Sequence, residues 1–154
     1  MADLRSGIRR IRDLAQARAM WDYAYWKHTV AGTPTAWSLE ELRDRCDGKQ
    51  IDEQRLHRQY EAQPRVRAMR VANMLPNLPV SREEENLPIL QTSSTAYITW
   101  QVMAALPGDE VITTDGTWLF PSSDRFADRM DYLQQANGHI DRLPGSDMLV
   151  RLRR

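Results

Sequence analysis

The residues of this sequence best suited to acid–base, nucleophilic or metal chemistry are three histidines, His28, His57 and His139, and one cysteine, Cys46. A zinc-binding helix needs two histidines one turn apart, with a glutamate between them to move the proton. Here each histidine stands on a different segment, and a lone cysteine makes neither an intramolecular disulfide nor a cysteine-rich zinc site. There is no Gly-x-Ser-x-Gly elbow and no glycine-rich phosphate loop, and the seven glycines are scattered among turn sequences. Nothing in the sequence selects a pairing of His57 or His139 with Cys46 or a carboxylate. No catalytic residue, cofactor or metal ligand is therefore assigned. An enzyme whose site is assembled only by tertiary folding stands third among the readings.

The cations point elsewhere. Lys27 and Lys49 are the two lysines, so 19 of the 21 basic residues are arginines, the side chain that pairs in two-pronged fashion with carboxylate or phosphate. Basic and acidic residues balance at 21 each, so no global field draws the chain to a polyanion. Local patches remain: Arg65, Arg67 and Arg70, then the Arg5, Arg9, Arg12 face and the tail Arg151, Arg153, Arg154. The first trio carries the second reading, a nucleic-acid-binding protein. The stretch EVITTDGTWLF, residues 110–120, reads as a hairpin. The helix before it lacks any cation and its tip carries only Asp115 as a charge, so it is expected in a packed sheet rather than as a wing on DNA.

The leading reading is a non-enzymatic interaction or assembly protein, an adaptor or structural component binding another protein or itself. Trp21, Tyr23, Tyr25 and Trp26 crowd the end of the first helix, and tryptophan, tyrosine and arginine dominate interface energies. At 100° per residue Tyr23 points away from the stripe that the other three join. Arg18 and Asp22 fall inside that stripe four residues apart, where each can partner the other. The candidate protein interface is thus Arg18, Trp21, Asp22, Tyr23, Tyr25 and Trp26.

The elements that must position these residues follow from periodicity and caps. A helix is expected from Asp3 to His28, with Leu4, Ile8, Ile11, Leu14, Ala15, Trp21, Tyr25 and Trp26 on its apolar side. Ser38-Leu-Glu-Glu41 is a capping box for a short helix through Cys46, stopped by Asp47-Gly48. Asp52 caps the next helix, with Ile51 and Leu56 as a staple and Leu56 and Tyr60 on one face. Pro64 either interrupts that helix or opens another. Residues 76–88, with three prolines and Glu83-Glu84-Glu85, read as a connector. Ser94 is expected to cap a core helix from Thr95 to Leu106. A two-residue turn at Asp115-Gly116 would then set Thr113 opposite Trp118 and Val111 opposite Phe120. Ser122 or Ser123 should start a helix containing Phe126, Met130, Leu133 and Ile140, with Gly138 as its stop. Met148–Leu152 reads as a last strand.

The expected fold is α+β: a helical N-terminal half, then a strand-strand-helix-strand unit whose sheet is small and mainly antiparallel. One domain, 1–154, accommodates it, with subdomains 1–75 and 89–154 joined by the 76–88 connector. Mean hydropathy of −0.62 and 27% charged residues suit a soluble globular chain. No apolar run is long enough for a bilayer and the N-terminus has no signal-peptide core, so the expectation is a cytoplasmic protein without a membrane partner.

Overall fold

The computed structural model describes residues 3–46, 52–74 and 86–150. The protein is mostly helical, with one small antiparallel sheet. Among the described residues the order is α1 (Leu4–Thr29), α2 (Leu39–Asp44), α3 (Glu53–Ala62), α4 (Pro64–Asn73), α5 (Leu87–Thr92), α6 (Ser94–Ala104), β1 (Val111–Ile112), β2 (Trp118–Leu119) and α7 (Phe126–Ile140). They fall into two compact units. One comprises Met1–Ala19 with Ile98–Arg154, the other Met20–Tyr97.

In the first unit α7 is the organising element. Its buried residues Tyr132, Leu133, Ala136, Asn137 and Ile140 recur at helical spacing, one apolar stripe interrupted by a single amide. That amide is fully used. Asn137 Nδ2 donates to the carbonyls of Met103 and Leu133, both at 2.8 Å, and its Oδ1 accepts from Arg12 Nη2 at 2.8 Å. Arg12 also meets the Asp141 carboxylate at 2.8 Å, so one side chain ties α1 to α7 twice. Trp100 of α6 packs on Phe126 with ring centroids 4.9 Å apart, and Arg129 lies over the Trp100 ring at 5.2 Å. Tyr132 donates its hydroxyl to the carbonyls of Pro107 and Gly108. Burial, reinforced by Asp109 and Glu110, pushes its pKa up to about 12.

β1 and β2 pair with Val111 opposite Leu119 and Ile112 opposite Trp118, a register one residue tighter than the two-residue turn implies. The Gly116 N–H bonds the Thr113 carbonyl at 3.0 Å and Thr113 N–H bonds the Thr117 carbonyl at 2.9 Å, which leaves a three-residue loop. Gly116 takes the left-handed position with φ +83°. This is the other common hairpin solution, a turn closed by a left-handed glycine, and Asp-Gly serves it as readily as the two-residue kind. Asp115 completes the tip by accepting from Thr113 Oγ1 and from the Thr117 N–H. The hydrogen bond from Thr113, with help from Thr117, holds its carboxyl down at about 2.

Several boundaries differ from those read off the sequence. Residues 148–150 form no strand, so the described sheet has two strands rather than three; residues 151–152 of the expected strand lie outside the described residues. Gly138 does not stop α7, which continues to Ile140. Ser93, not Ser94, caps α6, accepting from the Ala96 N–H at 3.0 Å. Ser123 precedes α7 and accepts from the Arg125 N–H, while the capping position belongs to Arg125.

In the second unit the capping box is formed: Glu41 N–H donates to Ser38 Oγ, and Ser38 N–H to Glu41 Oε2 at 2.7 Å. α2 ends at Asp44, short of Cys46. Asp52 accepts from the Arg55 N–H and starts α3, whose Leu56 and Tyr60 are buried. Pro64 sits in the first turn of α4, where its missing N–H costs nothing. The C-terminal end of the expected connector is instead the start of α5, whose Leu87, Ile89 and Leu90 are buried. Asp47-Gly48, Ile51 and Glu83-Glu84-Glu85 lie outside the described residues.

Between α1 and α2 the chain is extended, and two glutamines hold it. Gln91 of α5 takes both backbone groups of Ala36, accepting its N–H and donating to its carbonyl at 2.8 Å each. Gln63 does the same for Trp37, at 2.7 and 2.8 Å. Successive residues of an extended chain turn their polar groups to opposite sides, so the two amides stand in for sheet neighbours on either side. Arg65 locks this arrangement: it donates to Gln91 Oε1, Thr33 Oγ1 and the Thr33 carbonyl, all within 3.1 Å, and lies over the Trp26 ring.

Candidate interaction face

α1 runs through both units, its residues up to Ala19 belonging to the first and those from Met20 to the second. Its buried positions are Ile8, Ala19, Asp22 and Trp26, with Arg12 and Ala15 half-buried between them. The steps 8, 12, 15, 19, 22, 26 alternate four and three, the spacing of a helix packed along a seam. This inner seam is rotated from the apolar side read off the sequence. Ala19 is buried and Ala15 half-buried, while the larger Ile11, Leu14 and Trp21 are exposed.

A second seam runs beside the first, one residue earlier at every step: Gly7, Ile11, Leu14, Arg18, Trp21, Tyr25. Ile11 is 44%, Leu14 63% and Trp21 73% exposed; Gly7 and Arg18 are exposed and Tyr25 half-buried. Mid-helix apolar side chains of this size normally face a core. Ile11 and Leu14 are exposed in the first unit and Trp21 in the second.

The sequence-assigned interface residues therefore divide. Trp21 lies on the open seam. Trp26 is buried, and its indole N–H has no hydrogen-bond partner among the described residues. Tyr23 turns inward, contrary to the projection: its ring lies 5.6 Å from that of Trp26 and 6.0 Å from that of Tyr97. Asp22 is buried while Arg18 is exposed, and both, with Tyr25, are engaged in interactions within the chain.

Three of the candidate arginines, Arg12, Arg65 and Arg70, are committed within the chain. Arg65 is anchored as described, with burial lowering its pKa. Arg70 pairs with Glu61 at 3.0 Å, Arg67 is exposed, and Val66 and Met69 between them are fully buried. Arg5 and Arg9 are exposed, whereas Arg12 is the α7 anchor; Arg151, Arg153 and Arg154 lie outside the described residues. His28 and His57 are exposed and His139 is half-buried. The Cys46 thiol donates to the Leu42 carbonyl at 3.4 Å. Among the described residues no three His, Cys, Asp or Glu side chains gather where they could hold a metal. No described helix is long and apolar enough to cross a membrane.

Sequence reasoning missed the glutamine clamps, whose partners stand 26 and 55 residues away with no local pattern to announce them. In the first unit the hairpin also turns Ile112, Trp118 and Phe120 to solvent. The sequence led to a packed sheet at this hairpin, and these three exposed side chains depart from that expectation. No protein-family model, no curated protein and no solved structure matches the chain.

Proposed function

We propose that this protein is a non-enzymatic interaction or assembly component that binds a protein partner through exposed apolar residues of α1. The observation that carries the reading is the exposure of Trp21 at 73%, on a helix whose Leu14 and Ile11 are also exposed. Fully covering a side chain of this class contributes about 1.5–3 kcal/mol, and a tryptophan at the centre of an interface is the commonest kind of energetic anchor.

The reading is tested with a photo-crosslinking residue at Leu14 and, as control, at Gln16, which is exposed on another side of the helix. Adducts at position 14 and none at 16 are expected in cells making the full chain. Absence of adducts at 14, or equal labelling at both positions, contradicts the assignment.

A further inference from the structure

One residue pair in the first unit is chemically reactive in its own right. An asparagine followed by glycine readily loses its side-chain amide, because glycine leaves the next backbone nitrogen unhindered and free to turn toward the side chain. Asn137-Gly138 is such a pair, whereas Asn73, Asn77 and Asn86 precede methionine, leucine and leucine. It lies inside α7, at the residue that ties three helices together.

The fold holds this pair in an unreactive arrangement. Asn137 is buried, its Nδ2 donates to the Met103 and Leu133 carbonyls and its Oδ1 accepts from Arg12, so partners on α6, α7 and α1 fix the amide. Within a helix the Gly138 N–H is committed to the carbonyl four residues earlier and cannot turn on the side chain. Arg12, Met103, Leu133 and Gly138 all belong to the first unit, so both restraints are lost when that unit opens.

We infer that Asn137-Gly138 is a self-modification site, protected by the folded unit, that turns opening of the unit into its permanent loss. In the opened chain the Gly138 nitrogen attacks Cγ of Asn137. A new C–N bond forms, the bond to Nδ2 breaks, and ammonia leaves with the proton of the Gly138 N–H. Water then opens the cyclic imide at either carbonyl, giving aspartate or its β-linked isomer. One water is taken up and one ammonia released, and nothing is oxidised or reduced. Neither product restores the tie. A carboxylate only accepts, so it meets the Met103 and Leu133 carbonyls with no donor, and the attraction of Arg12 leaves those two contacts repulsive. The β-linked isomer also inserts a carbon into the backbone and breaks the helix ladder at this turn.

The test is peptide mapping by mass spectrometry of the full chain held in mildly alkaline buffer, native and in guanidinium chloride, with a reductant to keep Cys46 a thiol. Refolding yield is read on the same samples by circular dichroism. Asn137 should lose its amide at least about 100-fold more slowly in the native chain than in denaturant. In denaturant it should react faster than Asn73 or Asn86, and the refolded fraction should fall in step with its conversion. Gly138→Ala, whose added Cβ meets nothing within 4 Å, should keep the native spectrum, slow conversion in denaturant at least about tenfold, and refold after the same exposure. Equal conversion in the native and unfolded chain, a converted chain that refolds to the original denaturation midpoint, or a refolding loss that Gly138→Ala leaves unchanged would each overturn the inference.

Discussion

Replacing Gln91 by methionine keeps length and bulk while deleting an amide that makes three hydrogen bonds at 2.8 Å: two to the backbone of Ala36 and one from Arg65. Ala36 is 4% exposed, so its N–H and carbonyl cannot turn to water once the amide is gone. Each buried backbone group left unmet costs about 1–3 kcal/mol, and the charge-assisted bond from Arg65 about 1.5–3. Arg65 keeps its two bonds to Thr33 and so recovers part of its share. The expected loss is about 3–4 kcal/mol, a large part of a typical stability of about 5–15. Urea denaturation followed by circular dichroism should show the midpoint falling by about 1–2 M with an unchanged slope. Gln134→Met, at an exposed position of α7, serves as control and should change little. A loss below about 0.5 kcal/mol at Gln91 would show that the extended segment is held by packing and that the clamp is incidental.

Further outcomes follow from the first unit. Asn137→Ala should cost about 2–4 kcal/mol in the same assay, because it strands the Met103 carbonyl and removes an acceptor of the Arg12 guanidinium; a neutral result would exclude Asn137 as the tie between α1, α6 and α7. Gly116→Ala should destabilise by about 1 kcal/mol, since φ of +83° suits glycine alone, although open space surrounds the position. Wild-type-like stability there would mean the tip can adopt another turn. The Asp115 carboxyl lies below its ordinary 3.8, at about 2. Its contribution to the hairpin tip is therefore present above about pH 4 and lost as pH falls toward 2. The Thr117 amide resonance should shift through that window, and a midpoint near 4 would contradict the bonding pattern.

What was legible in the sequence was local. The Ser38–Glu41 box, the Asp52 cap and the Pro64 start each depend on residues within one turn of the helix they begin, and each forms as read. The hairpin was legible as a hairpin because Asp115-Gly116 demands a turn. Its register was not, because the same pair serves a two-residue turn or a three-residue loop, and the choice moves every cross-strand partner. The third strand failed for a related reason: Met148, Leu149 and Val150 suit a strand, but 148–150 pair with no neighbour and remain exposed. α5 was hidden behind Pro88, read as a connector residue although it stands in the helix's first turn.

The candidate face combines residues that the structure exposes with residues that it buries. Trp21 was singled out from aromatic crowding, but a moment averaged over α1 cannot tell an apolar side with one partner from two adjacent seams. What decides between them is which positions the rest of the chain covers, a property of the neighbours and not of the helix. Trp26, expected on the apolar side, is buried, whereas Tyr23, expected to point away from it, packs on Trp26 and Tyr97. Trp26→Ala would consequently report on folding rather than on association, and Trp21 is the residue to change.

The central claim, that Trp21 of α1 is covered by a partner in the working protein, is tested most directly by hydroxyl-radical footprinting of the five tryptophans, with Trp118 as the exposed reference and Trp100 as the buried one. The rate of Trp21 oxidation should match that of Trp118 in dilute isolated chain and fall toward that of Trp100 at high concentration or in cell extract, while Trp118 stays constant. Trp21 oxidised at the fully exposed rate under every condition would contradict the account.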